Sequence, residues 1–155
     1  MPAFSASRRG RVNALLTMVR HRNGMDGSFH FRVDPARNLI VTTISGFFDD
    51  ATYARYMAAR AAAFRELRCG PNEHLSLSDL RGMNIQSQEI VTAFAAMLAQ
   101  PTYQSKRLGL VIGSSLARMQ LSRALGTRAG GNAQVFQDYD EAEHWVLTGE
   151  MKAAS

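Results

Sequence analysis

Two turns that follow apolar strands carry the residues best suited to bind an anion or move a proton. Gly113-Ser114-Ser115 comes directly after the apolar residues 108–112 and before an apolar stripe at helical spacing. Free backbone N–H groups at such a helix start can bind an anion, although serines there more often only cap the helix. Asp79 ends another apolar run, and ligands of open α/β sheets bind at the carboxyl ends of strands. Asp79 can act as a base, accept a hydrogen bond from the next loop, or bond to its own turn.

The histidines and the single cysteine form no catalytic or metal-binding pattern. His21, His30, His74 and His144 include no pair four residues apart, and the single cysteine, Cys69, lies five residues before His74, so no zinc pattern exists. The chain also has no Gly-x-Ser-x-Gly segment, which marks the nucleophile of many hydrolases. We therefore expect a protein that is not an enzyme, with no catalytic residue, no metal and no cofactor.

Aromatic and methionine side chains offer a second kind of site. Methionine suits adaptable apolar pockets, and the same residue types at helical spacing also make an ordinary core. The residues in question are Tyr53, Tyr56, Met57, Met97 and Met119.

The first half of the chain predicts a hairpin followed by a helix. Residues 29–33 alternate apolar and polar, residues 34–38 have turn composition, and residues 39–44 are rich in β-branched side chains. Asp49 can cap a helix over residues 50–68, which Cys69-Gly70-Pro71 ends. The stripe of this helix that should face the sheet consists of Tyr53, Met57, Ala61, Phe64 and Leu67.

The second half predicts three more strands, each followed by a helix. Residues 74–80 form a strand closed by Asp79, residues 81–86 form a polar loop, and Ser87 caps a helix over residues 88–99. Residues 108–112 and 133–136 are strands, followed by helices over residues 116–125 and after Asp138. The predicted fold class is α/β, in the order β-β-α-β-α-β-α-β-α, with a mixed, mostly parallel five-stranded sheet and four helices.

The charge is concentrated at the N-terminus. Of 18 basic residues, five arginines lie within residues 1–24, which hold no acid, so 13 basic and 13 acidic residues remain from Met25 onward. We interpret residues 1–27 as a basic leader, flexible or a short helix, residues 28–148 as the domain, and residues 149–155 as a tail. A leader of this kind suits peripheral membrane contact; translation from Met18 or Met25 would remove most of it. The neutral body argues against specific nucleic-acid binding.

The composition also indicates in which cellular compartment the protein is expected. One cysteine permits no internal disulfide and fits a reducing compartment. The apolar runs are shorter than the roughly 20 residues that span a bilayer, and no signal-peptide core is visible. We expect a cytoplasmic protein of one domain.

The order and local pattern of these elements resemble the SpoIIAA-like branch of the STAS superfamily, whose bacterial members are also named STAS/SEC14-like. The likeness covers about residues 28–148. The segments that carry it are the hairpin of residues 31–46, Phe48-Asp49-Asp50, residues 75–80 with Asp79, residues 107–125, and Gln134-Val135-Phe136 with residues 138–145.

In the sporulation regulators of this superfamily, an Asp-Ser-Ser-Gly turn carries a phosphorylatable serine on which binding to a partner kinase depends. The matching place here reads Asp79-Leu80-Arg81-Gly82, which keeps the aspartate and glycine and lacks both serines. Ser87 is the alternative phosphoacceptor, because a phosphate at a helix start would gain backbone N–H bonds. Its other interpretation is a plain cap.

The resemblance and the missing catalytic set imply a non-enzymatic interaction or ligand-binding domain with a regulatory role. Its partner would be a protein or a small apolar or anionic ligand. The alternative is a SEC14-like carrier of a lipid or other apolar ligand that acts at a membrane surface. Pairing of edge strands would make a homodimer. The binding residues expected at the strand ends are Asp79, Arg81, Gly82, Ser87, Gly113, Ser114 and Ser115.

Overall fold

A computed structural model describes residues 26–113, 118–121 and 132–153. Residues 118–121 are helical and fall within the helix expected over residues 116–125. The other elements follow the predicted order. They are β1 (Ser28–Asp34), β2 (Leu39–Gly46), α1 (Asp50–Phe64), β3 (Leu75–Met83), α2 (Gln88–Ala99), β4 (Arg107–Val111), β5 (Ala133–Phe136) and α3 (Tyr139–Thr148).

The five strands form one mixed sheet in the order β1-β2-β3-β4-β5. β1 is antiparallel to β2, and the other neighbouring pairs are parallel. This confirms the predicted mostly parallel sheet with an antiparallel partner at one edge. Because the order of the parallel strands never reverses, the sheet lacks the switch point at which open α/β sheets form their ligand crevice. The strand order therefore gives no support for a ligand crevice at the carboxyl end of β3, and binding there stays a prediction.

The sheet separates two apolar cores. One face of the strands packs against α1 and α2, with Phe48 and Ile90 buried between them and the sheet. The other face packs against α3, where Trp145 and Val146 lie over Leu77. Alternation of side chains along each strand divides them between these faces.

The end of α1 differs from the prediction. The helix ends at Phe64, and Arg65 caps it, whereas the sequence pattern placed the end near Arg68. The N–H groups of Glu66 and Leu67 bond to carbonyls only three residues back, which tightens the chain out of the α-helix. The N–H of Arg68 then bonds to the side chain of Asn38 at 2.9 Å. The helix therefore ends before the chain reaches Cys69-Gly70-Pro71, and the segment after it contacts the hairpin turn.

The end of β3 also differs from the sequence prediction. The prediction that Asp79 closes the strand and that residues 81–86 form a loop is wrong, because β3 continues to Met83. The pairing of β2 with β3 shifts register after Thr43 and resumes with Ser45 opposite Gly82. A shift of this kind lets a strand continue past a local kink. The segment Asp79-Leu80-Arg81-Gly82 therefore lies within a strand.

No described helix has the length and apolar character that a membrane span requires.

Candidate functional site

Asp79 and Arg81 form an ion pair on β3. The guanidinium of Arg81 donates from Nε to Oδ1 of Asp79 at 2.9 Å and from Nη2 to Oδ2 at 2.7 Å. The backbone N–H of Arg81 also donates to Oδ1 at 3.2 Å. The hydrogen bond from Arg81 lowers the pKa of Asp79 below its ordinary value. A carboxylate held in this way is a poor general base at neutral pH, so the geometry favours the hydrogen-bonding role over the basic one.

Gly113 lies beside this ion pair. A side chain at Gly113 would come within 3.3 Å of the carbonyl oxygen of Arg81. Arg81 also lies 5.8 Å from the ring of Tyr139 at the start of α3. The structure therefore brings together Asp79, Arg81 and Gly113 among the predicted binding residues. Ser114 and Ser115 lie outside the described residues.

Gly82 and Ser87 have structural contacts of their own. A side chain at Gly82 would come within 2.6 Å of Oγ of Ser45 on the neighbouring strand, so only glycine fits there without a shift of that side chain. Ser87 accepts a hydrogen bond from the N–H of Ile90 at 3.2 Å, which confirms it as the cap of α2. Binding of a partner, ligand or phosphate at either residue stays a prediction.

Gln86 is the residue that the sequence analysis missed. It is 7% exposed and links the end of β2 to the segment before α2. Its Oε1 accepts from the N–H of Phe48 at 2.8 Å, and its Nε2 donates to the carbonyls of Gly46 and Asn84. Its backbone exchanges two hydrogen bonds of 2.9 Å with the side-chain amide of Gln120. A lone glutamine in a polar stretch gives no local signal for such a role.

An apolar cavity of about 90 Å³ lies between the sheet and α2. Its polar lining residues are Ser78, Asn84, Gln86 and Gln120. Its apolar walls include Ile44, Tyr56, Leu80, Val91, Phe94, Met97, Leu110, Ile112 and Leu121.

The methionine and aromatic residues singled out from the sequence divide between this cavity, the edge of the core and the surface. Tyr56 and Met97 line the cavity, whereas Met119 is 56% exposed. Met57, like Tyr53, is partly buried and packs against the core. Tyr53 packs beside the core and donates its hydroxyl hydrogen to the carbonyl of Ala93 at 3.1 Å. Tyr56, which the predicted stripe of α1 omitted, is the deeply buried tyrosine of this helix.

A second cavity of about 50 Å³ adjoins the first on the same face of the sheet. Both are lined by Tyr56, Ser78, Met97, Leu98 and Leu108. The smaller one is more polar, and Arg60, Thr42, Ser76 and Gln104 contribute to its wall. Its rim includes Tyr103, which is 47% exposed and stacks on Phe64 with the ring centroids 4.6 Å apart.

The described histidines and acids offer no metal site. His74 is buried, packs edge-on against Phe64 and lies 3.2 Å from Oγ of Ser105. Within residues 26–113, 118–121 and 132–153, no three His, Cys, Asp or Glu side chains form a group that could hold a metal ion. Cys69 is a free, partly exposed thiol.

Comparison with known proteins gives a match of fold. No family model matches the chain, and no curated protein matches it. An uncharacterized protein of the DUF3478 family from Shewanella loihica PV-4, solved with a SpoIIAA-like fold, superposes with a TM-score of 0.58 at 13% identity over 77% of this chain and 94% of that one. An anti-sigma factor antagonist from Mycobacterium paratuberculosis has a TM-score of 0.48 at 17% identity over the same shares. The first likeness shows that this chain has a SpoIIAA-like α/β fold, as the sequence resemblance predicted.

Proposed function

We propose that this chain is a non-enzymatic regulatory domain that binds a small ligand inside its SpoIIAA-like fold. The observation that carries the proposal is the apolar cavity of about 90 Å³ between the sheet and α2. An unfilled apolar space costs stability in proportion to its volume, so a ligand that fills it is favoured. Pockets of this composition, mainly apolar with a few polar groups, are typical of small-molecule sites.

The cavity also adjoins the surface that we propose for a protein partner. Gln86 lies in its wall and bonds to the backbone at the end of β2, and Ser87 follows directly as the cap of α2. Occupation of the cavity would therefore bias the position of the start of α2. Asp79 and Arg81 on β3, beside Tyr139 of α3, supply charged groups for recognition by the partner.

The size of the cavity favours a small ligand over a whole lipid. A dry protein cavity of about 150 Å³ accommodates benzene, so about 90 Å³ suits a short apolar chain rather than two acyl chains. A SEC14-like carrier would have to open much further. The observation that supports this second function, a lipid carrier at a membrane surface, is the five arginines of residues 1–24. Flotation with anionic liposomes, with and without residues 1–24, tests it, and equal recovery of both proteins would contradict it.

The binding proposal is tested by methyl NMR with pentan-1-ol as the apolar probe. We expect saturable shifts at the methyl groups of Ile44, Leu80 and Leu110, which line the cavity. Val91→Phe should abolish them because the larger ring fills the same space. Val33→Phe is the matched control, since Val33 lines neither cavity. No shift in the wild-type protein, or equal shifts in Val91→Phe, would overturn the proposal.

A further inference from the structure

Arg60 is a partly buried cation, and no acid of the described residues forms an ion pair with it. Its guanidinium lies 4.6 Å from the ring centre of Phe64 and lines the smaller cavity. In the part of the chain that the structure describes, Arg60 has neither a salt bridge nor a hydrogen bond. A ring face attracts the charge but accepts no ordinary hydrogen bond from the five N–H donors of the side chain. Burial lowers the pKa of Arg60 because it disfavours the charged form.

Arg107 shows what a satisfied, partly buried arginine looks like in the same protein. It donates from Nε to the carbonyl of Val146 at 2.7 Å and from Nη2 to that of Leu147 at 3.3 Å, at the end of α3. Carbonyls at a helix end are suitable partners for a cation. Arg60 has no counterpart of these bonds among the described residues, so its donors remain available to a ligand.

Tyr56 supplies a second donor to the same place. It lies four residues before Arg60 on α1, so the two side chains share a face of the helix, and both line the smaller cavity. Tyr56 is 5% exposed, and within the described residues its hydroxyl forms no hydrogen bond. Burial raises the pKa of Tyr56 to about 12, so the phenol keeps its proton at neutral pH and can donate it. Tyr53, by contrast, already donates to a carbonyl.

The two cavities together have the polarity of an amphiphile. The smaller one is lined by Arg60, Tyr56 and several residues with hydroxyl groups, and among its lining residues Tyr103 is 47% exposed. The larger one is mainly apolar and adjoins it along Tyr56, Met97 and Leu108. Their volumes, about 90 and 50 Å³, suit a chain of about four to six carbons with a small head group.

We propose that the ligand of this domain is a short-chain carboxylate, with its carboxylate bound by Arg60 and Tyr56 and its carbon chain in the apolar cavity. This inference rests on the proposed function, which it makes more specific. The planar guanidinium matches a carboxylate in charge and geometry, and the phenol adds a further hydrogen bond to the same anion. The apolar cavity then selects the chain by size.

The test compares pentanoate with pentan-1-ol, two probes that differ at the head group. Both are titrated into the full chain at one ionic strength and neutral pH, and the methyl shifts of Ile44 and Leu110 are followed. We expect pentanoate to bind at least about tenfold more tightly than the alcohol, because a hydrogen bond to a charged group is strong when partly buried. Sodium chloride at equal concentration controls for a nonspecific effect of the anion.

Variants separate the anion site from the apolar cavity. Arg60→Met should reduce pentanoate binding to the level of the alcohol, and Tyr56→Phe should weaken pentanoate about threefold to tenfold while leaving the alcohol unchanged. Arg65→Met is the matched control, because Arg65 is an exposed arginine on the same segment and lines neither cavity. We expect it to bind both probes as the wild type does.

The outcomes distinguish this inference from the proposed function. Equal affinity of the wild type for the two probes, or a pentanoate preference that survives in Arg60→Met, would overturn the carboxylate site while leaving the apolar cavity intact. Binding of neither probe would overturn both. If Arg60→Met fails to fold, Arg60→Gln and Tyr56→Phe carry the same comparison.

Discussion

The side chains of Asp79 and Arg81 meet through two hydrogen bonds, of 2.9 and 2.7 Å, because residues two apart on a strand lie on the same face of the sheet. A tight turn after Asp79 would have pointed them differently. The extension of β3 to Met83 creates the pair, and Arg81 then reaches the ring of Tyr139 on α3. The ion pair is therefore a product of the strand pairing.

The ion pair between Asp79 and Arg81 makes the free energy of unfolding depend on pH in the acidic range. Arg81 lowers the pKa of Asp79 below its ordinary value of 3.8, so folding is stabilised above that value. This contribution is lost as the pH falls through the lowered pKa, because the protonated carboxyl loses its attraction to Arg81. We expect Asp79→Asn to show a smaller loss of unfolding free energy below about pH 4 than the wild type in urea titrations.

The control for this prediction is Glu150→Gln, which removes one carboxylate that forms no ion pair among the described residues. It should keep the acid dependence of the wild type. Identical pH profiles for Asp79→Asn and the wild type would contradict the assignment.

Gly109 allows α3 to pack closely on β4. A side chain there would come within 2.6 Å of Cγ2 of Val146. We expect Gly109→Ala to lower the free energy of unfolding by about 1–3 kcal/mol through overpacking, as measured by urea denaturation. Val146→Ala in the same chain should recover part of the loss because it removes the clashing methyl group.

Gly70→Ala is the comparison for that substitution. Its side chain would approach the carboxylate of Glu73, which is exposed and can move, so the change should stay within about 0.5 kcal/mol. Equal effects of the two substitutions would argue that close packing at Gly109 is not the cause.

Gln86 holds the end of β2 and the start of α2 together. Gln86→Ala leaves the N–H of Phe48 and the carbonyl of Gly46 without this partner. Since an unsatisfied buried polar group costs about 1–3 kcal/mol, we expect a loss of about 2–4 kcal/mol in thermal or urea unfolding. Gln88→Ala, an exposed glutamine two residues later, should have little effect. A similar small effect at Gln86 would show that solvent replaces its bonds.

Ser87 caps α2 through its hydroxyl. Ser87→Ala should lower the unfolding free energy by about 1 kcal/mol, and Ser87→Asp should retain most of the stability because aspartate also caps a helix. Loss of stability in both variants would contradict the capping role.

Whether Ser87 also accepts a phosphate is checked by mass spectrometry of protein from its own cells, where we expect a phosphorylated peptide containing Ser87.

Local patterns in the sequence predicted most of the fold. Alternation in residues 29–33 gave the edge strand, and the side chains of Asp49, Ser87 and Asp138 cap three helices as predicted. These features depend on neighbours within a few residues along the chain, and such interactions are readable from the sequence. Together, these local patterns predicted the SpoIIAA-like architecture correctly.

The interior was decided by tertiary structure. β3 continues past Asp79 because Gly82 pairs with Ser45 on the neighbouring strand. Gln86 forms its buried hydrogen bonds only because the end of β2 lies beside it. From the sequence alone, Arg60 is one of many arginines. Only the packed helix and sheet show that it is partly buried beside Tyr56 and forms no ion pair with an acid in the described part of the chain. Such properties depend on burial and on distant partners, which residues near in sequence do not specify.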